Sequence, residues 1–359
     1  MLVVLVPAHN EENTLPEALG SLSAQSVVPD QVVVVADDCS DGTVAVATRL
    51  GADVVETAGN TARKAGALNQ ALDTLLPTLA DGDLVLVMDA DSAIVPGFLA
   101  AACTWLRGRP GTGAVGGVFT GRPGCGLLGA LQRNEYARYA REVGRRRGRA
   151  TVLTGTATLF RARVLREIAD ARGDVLPGRH GSVYDTRALT EDNEITLAAK
   201  TLGYAAASPS ECGVVTELMT TWADLWHQRL RWQRGALENL RAYGLTRVTL
   251  PYAAKQAAMY AGIVAVTLFL LATTLFAAHG ELGAPRGFWL GVAALFVVER
   301  VWTVRGQGRR GMALAAPIVV EFGYDLFQQA VFLRAAADAL VRRAAYWHHP
   351  AVPLVTREV

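Results

Sequence analysis

At 359 residues, of which 51% are hydrophobic and 19% charged, the chain has room for about two to three units of ordinary domain size. A globular protein averages about 25% charged residues, and the apolar bias here excludes a disordered chain, which lacks side chains to bury. The formal net charge of +2 is too small to imply a nucleic-acid partner, and none is expected.

Lys64, Lys200 and Lys255 are the only lysines among 35 basic residues, so nearly all positive charge is guanidinium. That group suits bidentate phosphate contacts, although compositional bias accounts for most of it. Cys39, Cys103, Cys125 and Cys212 form no C-x-x-C pair, which argues against a disulfide framework or a structural zinc site. The opening apolar run is short, lacks a basic n-region and meets His9 at once, so no signal peptide is expected and the globular part should remain cytosolic.

In chain order, segments 2–6, 31–36, 52–56 and 84–88 are short Val- and Leu-rich runs. Unbroken apolar runs of this length predict buried strands of a parallel sheet covered on both faces. Segments 13–24, 43–50 and 64–76 between them have helical patterns. Right-handed crossovers then give an open α/β sheet with ligands at the carboxyl ends of its strands. The glycine-rich segment 113–121 reads as a fifth strand with close backbone packing, since it lacks the G-x-G-x-x-G spacing of a dinucleotide site.

Segment 125–149 predicts a helix ending in Arg138, Arg141, Arg145, Arg146, Arg147 and Arg149; a solvated or membrane-facing helix is preferred to a catalytic one. Segment 173–181 is a loop by its Gly and Pro content, and 221–243 is a long helix rich in Trp and Arg. Residues 257–278 carry no charge and suffice to cross about 30 Å of hydrocarbon. Residues 288–304 form a second expected span, weakened by Glu299 and Arg300. A third segment, 312–333, carries Glu321 and Asp325 and either spans or lies in the interface. Arg305, Arg309 and Arg310 fit a cytosolic return loop. His348 and His349 stand beside Tyr346 and Trp347, which favours an interfacial aromatic anchor over a metal pair.

Four clusters carry the candidate chemistry, each at a predicted strand end or helix start. Asp37, Asp38 and Asp41 follow the second strand, where carboxylates can accept from base N–H or ribose hydroxyl groups; the competing reading is a capped helix start. Asp89 and Asp91 follow the fourth strand, where two carboxylates one residue apart can reach Mg²⁺ or Mn²⁺ and leave other positions to phosphates. Thr190, Glu191 and Asp192 open a helix. On their own they favour a cap, against a carboxylate general base acting on an acceptor hydroxyl. Gln228, Arg231 and Trp232 fall at helical spacings of three and four, where Arg can pair with a diphosphate and Trp offers a flat surface for a sugar ring. A Trp at such spacing is more often a core residue, and only the combination with the earlier clusters lifts the functional reading.

In this order the clusters resemble the D, DxD, TED and QxxRW signature of membrane-bound family 2 glycosyltransferases with a GT-A fold, among them cellulose, hyaluronan, chitin and poly-N-acetylglucosamine synthases. The opening Val6-Pro7-Ala8-His9-Asn10-Glu11-Glu12 is similar to the family's VPAYNEE, and the segment from Lys64 to Asn69 to its K-A-G-x-x-N. Residue 36 is Ala where many relatives have a first Asp, so Asp37 takes the nucleotide-binding position. The likeness covers residues 1–240.

The resemblance implies inverting sugar transfer from a nucleotide diphosphate, with a UDP-sugar expected, to a glycan or lipid acceptor. It puts Asp37 on uracil and Ala8, Asn10, Glu11 and Lys64 around the nucleoside and diphosphate. Asp91 with Asp89 binds Mg²⁺ or Mn²⁺, Asp192 is the base and Glu191 stands beside the acceptor. Gln228, Arg231 and Trp232 hold diphosphate and acceptor, and Thr154 and Gly155 belong to a small-residue loop shaping the acceptor site. The expected organisation is a GT-A catalytic domain over 1–245, on the cytoplasmic side, and a multi-pass inner-membrane region over 246–359 that contacts lipid. Polysaccharide synthesis is the leading product reading, single addition to a lipid the alternative, and a catalytically silent scaffold or sugar-nucleotide sensor the reading from another class.

Overall fold

The computed structural model describes residues 1–281, 283 and 287–341. The first half alternates strand and helix: β1 (Leu2–Ala8), α1 (Leu15–Ser23), β2 (Gln31–Ala36), α2 (Thr43–Arg49), β3 (Asp53–Glu56), α3 (Arg63–Leu75), β4 (Leu84–Met88), β5 (Ser92–Ile94) and α4 (Phe98–Arg107). Then come β6 (Thr112–Gly116), β7 (Val118–Gly121), α5 (Gly126–Arg145), β8 (Ala157–Arg161), α6 (Ala162–Ala171), α7 (Glu191–Thr201), β9 (Ala205–Ala207), β10 (Gly213–Thr216) and α8 (Trp222–Tyr243). Four helices follow: α9 (Leu250–Ala278), α10 (Gly287–Thr303), α11 (Gly308–Ala315) and α12 (Ile318–Leu340).

Seven strands form the main sheet in the order β3-β2-β1-β4-β8-β6-β9. Its pairs are parallel except around β8, which runs against both β4 and β6. The expected α/β sheet is therefore present. Side chains alternate along β1: Val3 and Leu5 join the core under α3, α6 and α7, whereas Leu2, Val4 and Val6 join the core under α1, α2 and α4. Both faces are buried, so the sequence of β1 has no polar positions to alternate with. The third expected strand departs from this pattern: β3 is an edge strand with Asp53 and Glu56 exposed, because only β2 flanks it.

The expected single strand over 113–121 is two strands. β6 belongs to the main sheet, while β7 joins a small sheet ordered β5-β10-β7. Gly117 marks the break. A Cβ there would come within 2.3 Å of Val214 Cγ2, so the chain leaves one sheet for the other only without a side chain at that point. The small sheet links the chain after Asp91 to the chain before α8. Ser92 pairs with Thr216, and the Ser92 hydroxyl donates to Thr216 Oγ1 at 3.1 Å.

The carboxy-terminal expectation changes most. Among the described residues only α9 is long and apolar enough to cross a membrane, and little of its apolar length is buried. α10 has 17 residues, about 26 Å of helix, and carries Glu299 and Arg300 shortly before its end at Thr303. The third expected segment is interrupted at Pro317, leaving α11 and α12 as separate helices. On α12, Glu321 pairs with Arg138 at 2.5 Å and Arg300 at 3.1 Å, and Asp325 pairs with Arg300. These carboxylates dock α12 onto protein. Arg342, Arg343 and residues 346–349 lie outside the described residues.

Candidate functional site

Strand ends and helix starts converge on a cleft of about 460 Å³ lined by Lys64, Asp89, Asp91, Thr154, Gly155, Glu191, Asp192, Gln228, Arg231 and Trp232. These ten residues come from β4, α3, α7, α8 and the loop before β8, and every one was a sequence candidate. Ala8, Asn10, Glu11 and Asp37 stand outside that lining, at the adjoining carboxyl ends of β1 and β2. Asp37 takes its backbone from the sheet, donating its N–H to Ala8 O at 2.8 Å. Its Oδ1 accepts from Thr57 Oγ1 at 2.7 Å and Asn60 Nδ2 at 2.8 Å. Asn10, at φ +60°, suits a left-handed position better than most residues, and its Oδ1 accepts from the Ser40 N–H at 2.8 Å. Burial pushes the Glu11 carboxyl up to about 7 against the hydroxyl of Thr14, with Asp91, Glu217 and Asp89 adding repulsion.

At the centre, Lys64 Nζ bridges Asp89 at 2.6 Å and Glu191 at 2.9 Å. Burial opposes the lysine charge, but the two carboxylates hold its pKa well above the ordinary value. For Glu191 burial pulls the other way too, yet Lys64 keeps its carboxyl below the usual range. Asp89 is pushed up to about 6 by burial, with the Asp91 charge adding to it against the pull of Lys64. Burial also raises Asp91, with Glu217 adding repulsion.

Asp192 is pushed up to about 6, first by burial and then by the charge of Glu191. Its Oδ2 accepts from the Gly155 N–H at 3.2 Å and its Oδ1 from the Asn193 N–H at 2.7 Å. The helix-cap reading of Thr190 fails. Thr190 occupies the N-cap position but makes no side-chain cap bond; its Oγ1 instead accepts from Asn239 Nδ2 of α8 at 3.3 Å. Gly235 makes that approach possible, since a Cβ there would meet Thr190 Oγ1 at 2.4 Å.

The donor set at Asp89 and Asp91 fits a hard divalent cation. Two neighbouring carboxylates raised by burial and repulsion hold an excess of negative charge that such an ion relieves. Among the described residues no group of three His, Cys, Asp or Glu side chains is placed to enclose a metal, so its other positions would fall to phosphate oxygens and water.

Sequence reasoning missed one wall. Phe119, Glu135, Tyr136, Tyr139 and Met219 also line the cleft, and Phe119 packs edge-on to Tyr136 and stacked on Tyr139, with ring centres 4.5 and 5.1 Å away. Tyr136 and Tyr139 lie three apart on α5, a spacing visible in the sequence but indistinguishable there from core packing. Arg229, one of the unassigned positions between Gln228 and Arg231, is 3% exposed. It pairs with Glu135 at 3.0 Å.

Residues 2–235 match the model of the family described as glycosyltransferase like family 2. The chain belongs to that family and has the GT-A fold. A poly-beta-1,6-N-acetyl-D-glucosamine synthase of Staphylococcus epidermidis is 24% identical over 243 residues, 66% of this chain and 54% of the relative; the chain thus spans about half the length of that relative. Among solved structures, the mannosyltransferase PcManGT from Pyrobaculum calidifontis, in complex with GDP-Man and Mn²⁺, aligns over 96% of this chain and 88% of its own, with 21% identity and a TM-score of 0.59. Glucosyl-3-phosphoglycerate synthase from Mycobacterium tuberculosis, with Mn²⁺, UDP and glucosyl-3-phosphoglycerate, aligns over 67% of this chain and 79% of its own at 20% identity and a TM-score of 0.42.

Proposed function

We propose that the chain transfers a sugar, with inversion, from a UDP-sugar to the hydroxyl of a carbohydrate acceptor at the cytosolic face of a membrane, and that it does so in polysaccharide synthesis. The observation that carries this reading is the convergence of Asp89, Asp91, Asp192, Arg231 and Trp232 on one cleft. Residues 1–245 form the catalytic domain and 246–359 the membrane region.

In this reading Asp37 receives the base, and Ala8, Asn10, Glu11 and Lys64 surround the nucleoside and diphosphate. Mg²⁺ or Mn²⁺ on Asp91 and Asp89, when bound, neutralises charge that develops on the leaving diphosphate. Arg231 pairs with the same diphosphate. Asp192, its oxygens held by the Gly155 and Asn193 N–H groups, takes the proton of the attacking hydroxyl. Glu191 stays ionised against Lys64 beside the acceptor. Gln228 and Trp232 hold the acceptor sugar, and Thr154 and Gly155 shape its seat. Lys64 has a second task in the free enzyme: it neutralises Asp89 and Glu191.

The name of the Staphylococcus epidermidis relative supports a polymer product. The exposed apolar length of α9 supports a second reading, single addition to a lipid acceptor. The test is a donor screen on the detergent-solubilised chain. UDP-glucose, UDP-N-acetylglucosamine, UDP-galactose, UDP-glucuronate and GDP-mannose are scored by nucleotide release with a panel of octyl glycosides (glucoside, galactoside, N-acetylglucosaminide, mannoside) as acceptors. We expect transfer from one UDP-sugar that stops in chelator and returns with Mg²⁺ or Mn²⁺. A ladder of products supports polymerisation and a single product the lipid reading; no transfer from any donor overturns both.

A further inference from the structure

We infer that α12 belongs to the acceptor machinery: Tyr324, acting through Glu135 and Arg229, sets the positions of Gln228 and Trp232. The inference rests on the acceptor roles proposed for those two residues, and it makes a helix from the membrane region a determinant of acceptor affinity.

The linkage is continuous. The Tyr324 hydroxyl donates to Glu135 Oε2 at 2.6 Å, and Arg229 Nη2 donates to the same oxygen at 3.0 Å. Arg229 Nη1 donates to Gln228 Oε1 at 2.6 Å. The Arg229 guanidinium also lies 4.3 Å from the centre of the Trp232 ring and 5.6 Å from that of Tyr136. One buried cation therefore holds the amide of Gln228 and one face of Trp232. A guanidinium so removed from water depends on its carboxylate partner. That partner is oriented from outside α8: Glu135 belongs to α5, and its second donor is on α12.

The placement of α12 is itself fixed. Three residues before Tyr324, Glu321 accepts from Asn134 and Arg138 of α5 at 3.1 and 2.5 Å. On α5, Asn134, Glu135 and Arg138 thus meet α12, while Tyr136 and Tyr139 of the same helix face the cleft. The Tyr324 ring packs against Trp222 and Phe327, with ring centres 6.2 and 6.3 Å away. Replacing Tyr324 by Phe removes one hydroxyl and keeps that packing. Glu135 then loses a donor and gains rotamer freedom, and Arg229 no longer meets a fixed partner.

Tyr324→Phe is compared with the unaltered full chain in detergent. With the octyl glycoside panel we expect the acceptor KM to rise about tenfold, as losing a hydrogen bond to a charged group implies. Donor KM and nucleotide release to water should stay within about twofold, with the unfolding temperature nearly unchanged. Glu135→Gln should raise acceptor KM at least as much. An acceptor KM within twofold of the unaltered chain overturns the proposal, and so does an equal loss in donor hydrolysis. Amide hydrogen exchange over 226–234 needs no acceptor: faster exchange in Tyr324→Phe with 31–37 unchanged is expected, and identical exchange overturns the proposal. An unaltered chain inert toward every donor and glycoside overturns the proposed function instead, leaving the exchange comparison to decide this one.

Discussion

Asp192 is the residue whose environment most constrains the chemistry. A carboxyl at about 6 is a stronger proton acceptor than an ordinary aspartate, yet it is ionised at neutral pH. Its pKa is raised, so the base form is lost as pH falls through about 6. We expect kcat/KM of the free enzyme to decline below that pH, and a profile flat down to pH 4.5 would remove the assignment. Asp192→Asn should lower turnover by about 10²-fold or more while nucleotide binding, read by calorimetry, stays nearly intact. The acidic identity of residues 191 and 192 is plain in the sequence, whereas the difference between them is not. Glu191 faces Lys64 and stays low, while Asp192, buried beside the Glu191 charge, rises. Two adjacent carboxylates acquire different proton affinities only from what folds against them.

At the scale of elements, α7 carries both carboxylates and is held by partners distant in sequence. Arg172, fully buried after α6, donates to both oxygens of Glu194 at 2.6 and 2.7 Å. The Tyr243 hydroxyl at the end of α8 donates to Glu194 Oε1 at 2.5 Å. Arg172→Ala leaves Glu194 buried without its cation, which costs about 3–5 kcal/mol; a large fall in the thermal unfolding midpoint is expected, and an unchanged midpoint would contradict the pairing. Arg172 adjoins a stretch that reads correctly as a loop, but nothing in the residues around it predicts that its side chain enters the core. The strands were legible because burial on both faces demands unbroken Val and Leu. The division of 113–121 between two sheets was not, because Gly117 is required by Val214, almost a hundred residues away.

For the whole molecule, α9 joins the catalytic part to its surroundings. Its 29 residues extend about 44 Å, more than the roughly 30 Å of a hydrocarbon core. The first turns are attached to protein: Lys200 Nζ donates to Tyr252 Oη at 2.7 Å and Gln233 Nε2 to Gln256 Oε1 at 2.7 Å. Gln233 follows Trp232 directly, so the start of α9 is tied to the helix that carries Gln228, Arg231 and Trp232. Val264, Leu268, Phe269, Leu271, Leu275 and Phe276 beyond it are exposed. We expect the full chain to sediment with membranes, to resist extraction by high salt and carbonate, and to dissolve in detergent. A monodisperse preparation without detergent would overturn the anchor.

The sequence by itself determined the α/β sheet, the order of the four clusters and ten of the residues that line the cleft, the metal and acceptor candidates among them. The sheet and the clusters depend on local pattern, apolar runs, strand-end carboxylates and helical spacing, whereas Lys64, Thr154 and Gly155 enter through the family resemblance. The tertiary structure alone decided that Thr190 serves α8 instead of capping α7, that Phe119, Tyr136 and Tyr139 wall the cleft, and that Glu321 and Asp325 face arginines instead of lipid. Among the described residues it leaves α9 as the one helix long and apolar enough to cross a membrane. Hydropathy measures how apolar a segment is, whereas the fate of a charged residue within it depends on whether an opposite charge from another element reaches it.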